Sequence, residues 1–416
     1  MAAHLRPSSI TSLCLTATLL LVSLPASAQT SSGLQWTAHT IQSTKLKEER
    51  RILVALPDGY SSTKRKYGVL VILDADDTPQ FLAAIANVKF LTSRGSIPGL
   101  IVVGIPNGKD RTHDLTPTPT GKTARDFANG GGADAFADFI ADEVLPMVRA
   151  KYRARPMTIF AGHSFGGLIA LHIAATRPSS YTGIVAMSPA LWWNDSTGVV
   201  QYADAIAKSG SPQRIFATSG ALEPPIDVTT KRFAARLDSA TSKTVAFAHR
   251  HYADDTHGLT PAPSLVDGLR FIFDPMSIAR LPINQLGPSS DSASVMNAIL
   301  ESEASYAPGA RLFGEPEALP EDALNGLGYG TLQILKMTDL AIWIFRRNAA
   351  KHPESANVYD SLGDGLLAKG DTAAAIAEFR RAVAIGTRTK HPVTSASRDK
   401  LRQLEKVRGQ AGKAKP

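Results

Sequence analysis

Thr158-Ile159-Phe160-Ala161-Gly162-His163-Ser164-Phe165-Gly166-Gly167-Leu168 decides the fold of this chain. An apolar, β-prone run ends in a G-x-S-x-G pentapeptide, and a small-residue amphipathic run from Leu168 to Ala175 follows. Strand, tight glycine turn and helix is the order in which a nucleophile elbow is built. The glycines at 162 and 166 leave room for a sharp turn that pushes the Ser164 hydroxyl clear of the backbone. The helix that follows aims its N-terminal NH groups and the positive end of its dipole at a developing oxyanion. The competing reading of the same residues is a Gly-Ser loop that caps a helix.

Outward from this segment, β-prone apolar runs recur at Trp36–Ile41, Arg51–Leu56, Val69–Leu73, Leu100–Ile105, Met157–Ala161, Gly183–Met187, Arg214–Thr218 and Thr244–Tyr252. Helical spacing separates most of them, clearest from Phe136 to Tyr152, where Phe136, Phe139, Ile140, Val144, Leu145 and Val148 share one face. Shorter helical patterns cover Phe81–Leu91, Lys231–Ala240 and Leu265–Phe273. Strands alternating with helices predict a mostly parallel eight-stranded sheet covered on both faces, with the Ser164 strand fifth.

An activated serine needs a base and an acid, which follow it in the chain order Ser, acid, His. Among ten histidines, His257 stands apart: it follows the last strand in Asp254-Asp255-Thr256-His257-Gly258, just before a helix. A loop there brings its imidazole to Ser164 as general base. Glu223 ends the seventh strand's run, Arg214 to Glu223, and is the expected acid. Asp227 is its near competitor, and Asp254, Asp255 or a Ser-His dyad stay open. The oxyanion hole is expected from the Phe165 NH and an NH of the loop Leu73-Asp74-Ala75-Asp76-Asp77, with Asp76 or a neighbour as donor. The same acidic run lacks the glycine and downstream glutamate of a calcium loop, so no metal is expected.

Three further features border this site. Ser188-Pro189-Ala190-Leu191-Trp192-Trp193 follows the sixth strand, and the paired tryptophans read either as an aromatic wall for an acyl or aryl group or as packing. Arg111, in Arg111-Thr112-His113-Asp114, either binds an anionic substrate group or pairs with Asp114. His163 adjoins the nucleophile and reads either as a structural residue or as one of those lining the substrate.

The bulk composition narrows the function classes. Hydrophobic residues make up 44% and charged residues 20% of the 416, which is enough for a large core and a second, smaller domain. Arg6, the apolar run Leu13–Leu24 and Ala26-Ser27-Ala28 read as a signal peptide cut after Ala28, so an exported, periplasmic or secreted protein is expected. The single cysteine, Cys14, lies inside that leader, which excludes disulfides and a cysteine nucleophile from the mature chain. The net charge of +8 is spread along the sequence without a groove-reading motif, so no nucleic-acid partner is expected. No later stretch is apolar enough for a membrane anchor.

After Asp274 the strand signal ends. Residues 279–321 form a Pro-, Gly- and Ser-rich linker with one helix at Ala293–Tyr306. Leu332, Ala341 and Phe345 then recur as Leu366, Ala375 and Phe379, each at an offset of 34 residues, the tetratricopeptide period. Residues 322–416 are therefore expected to form a small all-α tetratricopeptide-like domain closed by a polar helix at Asp399–Arg408. Two units fall short of the three usual in a free-standing solenoid, so the segment is expected to pack on the catalytic part and to offer a surface for a protein partner.

Taken together, GHSFGG (162–167), RTHDLTP (111–117), GGADAF (131–136), SPALWW (188–193), SGALE (219–223) and the stretch from His257 to Phe273 resemble the putative esterase family of α/β-hydrolases. That family includes esterase D, feruloyl and acetyl-xylan esterases and siderophore esterases, and the chain is most similar to the siderophore-esterase branch. The resemblance spans residues 35–275 and implies an α/β-hydrolase domain at 29–278, with Ser164 as nucleophile and His257 as base. It implies a serine hydrolase of carboxylic esters that needs no cofactor and acts on a small-molecule ester, such as a siderophore lactone or another acyl or aryl ester. The alternative is a catalytically silent hydrolase fold that binds through its cleft while the helical tail docks a protein.

Overall fold

Eight strands form one sheet in the order β1-β2-β4-β3-β5-β6-β7-β8. They are β1 (Thr37–Ser43), β2 (Glu48–Ala55), β3 (Tyr67–Leu73), β4 (Leu100–Ile105), β5 (Ala154–His163), β6 (Gly183–Met187), β7 (Gln213–Gly220) and β8 (Val245–Tyr252). Every predicted run has become a strand. Only β1–β2 and β2–β4 are antiparallel; from β4 to β8 all neighbours are parallel, and this is an α/β-hydrolase sheet. The computed structural model describes residues 34–413 except Thr63 and Thr241. The expected leader, with Cys14 and the cut after Ala28, lies outside the described residues.

Strand side chains alternate between faces, and the sheet carries two cores accordingly. Val69, Val71, Leu73, Phe160, Ile184 and Ala186 face one core, beneath the helices Phe165–Thr176 and Pro224–Ser239 among others. Leu70, Ile72, Ile159, Ala161, Val185 and Met187 face the other, beneath the helices Thr78–Ser93 and Pro261–Ile272.

The second core does not stop at the sheet's own helices. Val295, Ile299, Leu324 and Ile344 belong to it, from the helices Ser292–Leu312, Glu321–Gln333 and Thr338–Lys351. Phe273 meets Phe313 at 4.9 Å between ring centroids. The fully buried Glu315 side chain accepts an ion pair from Arg65 at 3.0 Å and another from Arg155 at 3.6 Å. The described residues from Leu34 onward thus form one compact unit. The all-helical region continues with Ala356–Ala368, Thr372–Thr389 and Val393–Lys413. Ala341, Phe345, Leu366, Ala375 and Phe379 make a small core of their own.

One local expectation fails. The continuous helix expected over 136–152 is interrupted by a π-turn at Ile140–Val144 between Ala133–Phe139 and Leu145–Lys151. Pro146 lacks an amide hydrogen, and its ring clashes with the carbonyl four residues back, so the turn widens there.

Candidate active site

The turn at Ser164 is as tight as its glycines imply. Ser164 has φ 61° and ψ −116°, a region that non-glycine residues rarely enter. A Cβ on Gly162 would lie 2.3 Å from the Gly166 carbonyl oxygen, and one on Gly167 would lie 2.9 Å from the Met187 oxygen. No other residue type fits either position without moving the backbone. Strand β6 and its loop hold the turn: Ser164 NH donates to Met187 O at 3.0 Å and Ala190 NH to Ser164 O at 3.0 Å. The Ser164 hydroxyl makes no cap bond to its own helix. Phe165 is the first residue of that helix, so its NH has no intrahelical acceptor.

The loops after β6, β7 and β8 leave the sheet at the same C-terminal edge, where open α/β sheets bind ligands. Glu223 and His257 meet there, His257 Nδ1 donating to Glu223 Oε2 at 2.5 Å. The His257 ring lies 4.3 Å from the ring of His163, the residue before Ser164, with 37° between their planes. This stack brings the imidazole against the elbow. Glu223 and His257 are thus hydrogen-bonded, with the imidazole against the residue that precedes Ser164.

Glu223 is buried. Burial works against its charge, but hydrogen bonds from His257, Ser188 and the Gly220 NH outweigh it and leave the carboxyl below its ordinary range. Ser188 Oγ donates to Glu223 Oε1 at 2.6 Å and Gly220 NH to the same oxygen at 2.5 Å. Thr260 Oγ1 lies 2.7 Å from Ser188 Oγ and donates to the His257 carbonyl at 3.1 Å. One carboxylate oxygen is thus fixed from below while the other faces His257. His163 is driven down to about 4 by burial and by the neighbouring His257, so its ring stays neutral in contact with His257.

The competitor Asp227 is occupied elsewhere. It accepts from Ser219 at 2.7 Å, pairs with His251 at 2.9 Å and meets Lys231 at 2.7 Å. In the loop after β3, the Ala75 NH is committed to Ile105 O and the Asp77 NH to Asp74 O. That leaves the Asp76 NH without an acceptor among the described residues. The Asp76 side chain does not cap the helix: it accepts from Asn107, and Asp77 supplies the cap.

Two expectations are corrected. Arg111 does not pair with Asp114. It forks onto Asp74 at 2.6 and 2.9 Å and donates to the His163 carbonyl at 3.2 Å, bracing the elbow from beneath. Asp114 is held instead by the buried Arg50. Trp193 is no substrate wall: it is 3% exposed and donates Nε1 to Pro117 O at 3.2 Å. Trp192 is only partly buried and faces Phe165 at 5.8 Å.

Sequence reasoning missed Ser188, Thr260 and Phe127. Ser188 follows β6 directly, and the Met187–Thr218 register sets it beside the loop that carries Glu223. That register is the only signal that picks this serine out. Phe127 lies in a stretch without motif, yet its ring meets Phe165 at 6.0 Å and Trp192 at 5.7 Å.

A family model, Putative esterase, matches residues 43–258. The chain is 40% identical over 103 residues to the siderophore triacetylfusarinine C esterase of Aspergillus fumigatus, covering 23% of this chain and 34% of that protein. A second curated relative is likewise spanned over only 31% of its length. An IroE-like serine hydrolase from Shewanella oneidensis superposes with a TM-score of 0.62 at 24% identity, covering 76% of this chain and 99% of that one. An uncharacterised protein from Capnocytophaga ochracea superposes with a TM-score of 0.56 at 14% identity, covering 89% of this chain and 99% of its own. These structural likenesses are likenesses of fold, and the second is too long to stop short of the helical tail.

Proposed function

The chain belongs to the Putative esterase family, and from that premise we propose that it is a serine hydrolase of carboxylic esters, with siderophore esters as its substrate class. The observation that carries the reading is the 2.5 Å hydrogen bond from His257 Nδ1 to Glu223, with the same imidazole stacked on the residue before Ser164. The siderophore class rests on the stretch similar to the fungal siderophore esterase.

In this mechanism His257 Nε2 takes the Ser164 proton as Oγ attacks the ester carbonyl. The Glu223 carboxylate fixes the tautomer and stabilises the imidazolium. The Phe165 and Asp76 NH groups hold the oxyanion of the tetrahedral intermediate. Collapse expels the alcohol, which leaves with the proton from His257. Water, activated by the same imidazole, then attacks the acyl-enzyme and frees the acid and Ser164. The chemistry uses side chains and backbone of this chain alone.

The proposal extends to the termini. The leader pattern of residues 1–28 supports export, and no helix among the described residues is long and apolar enough to cross a membrane. The 34-residue repeat supports a tetratricopeptide-like tail at 322–416 that meets a protein partner.

Turnover of p-nitrophenyl acetate and of a trilactone siderophore, for the wild type and Ser164→Ala, tests the reading alongside labelling by a fluorophosphonate. Loss of turnover and label in a folded Ser164→Ala variant supports it. Folded wild type without either sinks it in favour of a silent binding module, and turnover of the simple ester alone removes only the siderophore class.

A further inference from the structure

The helix Trp193–Lys208 begins with a turn of the wrong hand. Asn194, Asp195 and Ser196 have φ of 50°, 54° and 65°, with ψ of 51°, 34° and 25°. A left-handed conformation crowds Cβ against the next carbonyl oxygen, and residues other than glycine rarely adopt it in succession. Such a run persists only where its surroundings over-determine it.

The surroundings here are the loop 117–130. Asn194 Oδ1 accepts from the Thr120 NH at 2.8 Å, and its Nδ2 donates to Thr118 O at 2.9 Å. The Asn194 NH donates to Thr123 Oγ1 at 3.1 Å. Beside this clamp, Trp193 reaches Pro117 O and passes so close to Gly130 that a Cβ there would lie 2.9 Å from the indole. Asparagine suits the position twice over: it tolerates left-handed angles, and its amide meets both a donor and an acceptor of the facing loop.

The loop and the segment before the turn carry two rings, Phe127 and Trp192, that meet the ring of Phe165, and the catalytic chemistry uses none of the three. Phe127 comes from the clamped loop, Trp192 stands two residues before Asn194, and Phe165 follows Ser164. Their centroids are 5.7 to 6.0 Å apart, and all three stay partly open while Trp193 is buried. Rings at this spacing offer faces and edges to another flat ring. Phe165 supplies both one of these rings and an NH for the carbonyl oxygen, so the wall borders the acyl group.

We propose that Phe127, Phe165 and Trp192 form a wall for a planar aryl acyl group, and that Asn194 is the positioning residue that sets it. The inference rests on the ester-hydrolase reading alone, not on the siderophore class, and names aryl acyl esters as the substrates that the wall favours.

The test compares kcat/KM of the full chain on p-nitrophenyl benzoate and p-nitrophenyl acetate, which share a leaving group and differ in the acyl group. Wild type, Trp192→Ala, Asn194→Ala, Asn194→Gly and Asn194→Asp are measured. The benzoate-to-acetate ratio falls about tenfold in Trp192→Ala and Asn194→Ala, mostly through KM for benzoate. Asn194→Asp keeps the acceptor for the Thr120 NH and recovers part of the loss. If Asn194→Ala does not fold, Asn194→Gly decides, since glycine accepts the turn without the clamp. A ratio unmoved in folded variants, or both esters falling by one factor, overturns the inference and leaves the esterase standing. Wild type that neither turns over an ester nor takes a fluorophosphonate overturns both.

Discussion

Replacing Glu223 by Gln removes one charge and almost no volume. Glu223 Oε1 is held by Ser188 and Gly220 while Oε2 meets His257. The amide oxygen takes over the first pair of bonds, which leaves an NH2 group facing Nδ1 and favours the tautomer that cannot accept the serine proton. The charge lost is the one that stabilises the imidazolium. Two unit charges about 4 Å apart at an effective dielectric of about 20 attract by about 4 kcal/mol. At about 1.4 kcal/mol per decade that is about a thousandfold in rate, and the misplaced tautomer carries the loss towards about ten-thousandfold. The expected result is kcat on p-nitrophenyl acetate down by that range. Folding stability falls by only about 1–3 kcal/mol, as a charged acceptor becomes neutral. Asp227→Asn is the control: its partners are Ser219, His251 and Lys231, so its kcat stays within about tenfold of wild type. A Glu223→Gln enzyme within that same tenfold would refute the assignment and leave a Ser-His dyad, and an equal fall in Asp227→Asn would refute it in favour of Asp227.

His163 is held neutral down to about 4 in the folded chain, whereas an unfolded histidine titrates near 6.5. Between those values the unfolded state binds more protons, so this residue's contribution is present above about pH 6.5 and is lost as pH falls towards 4. Urea unfolding of His163→Gln against wild type should show stability curves that differ by up to about 3 kcal/mol between the two ends of that window; parallel curves would refute it. Truncation to residues 34–278 removes Val295, Ile299, Leu324 and Ile344 from the second core. Four such side chains contribute about 6–12 kcal/mol of burial, comparable with the whole stability of a domain. The truncated protein should be insoluble, and a soluble, cooperatively melting fragment would refute this account of the tail.

The strands were legible because each is a short β-branched or apolar run bounded by turn residues, and the elbow because its glycines are sterically required. The meeting of His257 with Glu223 was legible from its position after the last strand. What stayed hidden depends on pairings between distant residues. Arg111 faces Asp74, 37 residues away, because β3 and β4 are neighbours, and the nearer Asp114 is captured by Arg50 from β2. Ser188 reaches Glu223 only through the β6–β7 register. Asn194-Asp195-Ser196 reads as an ordinary turn, and nothing local states its hand. The π-turn at 140–144 was masked by an apolar period that runs straight through it.

The order of synthesis gives the shared second core a consequence in time. Ile344 follows Ile272 by 72 residues, and both belong to that core. At roughly 5–20 residues per second, translation needs about 4–14 s to cover the distance. Throughout that interval a nascent chain already holds Ser164, Glu223 and His257, yet its second core still lacks side chains such as Ile344. The last-made helices complete that core, so a chaperone that shields apolar surface has its window there.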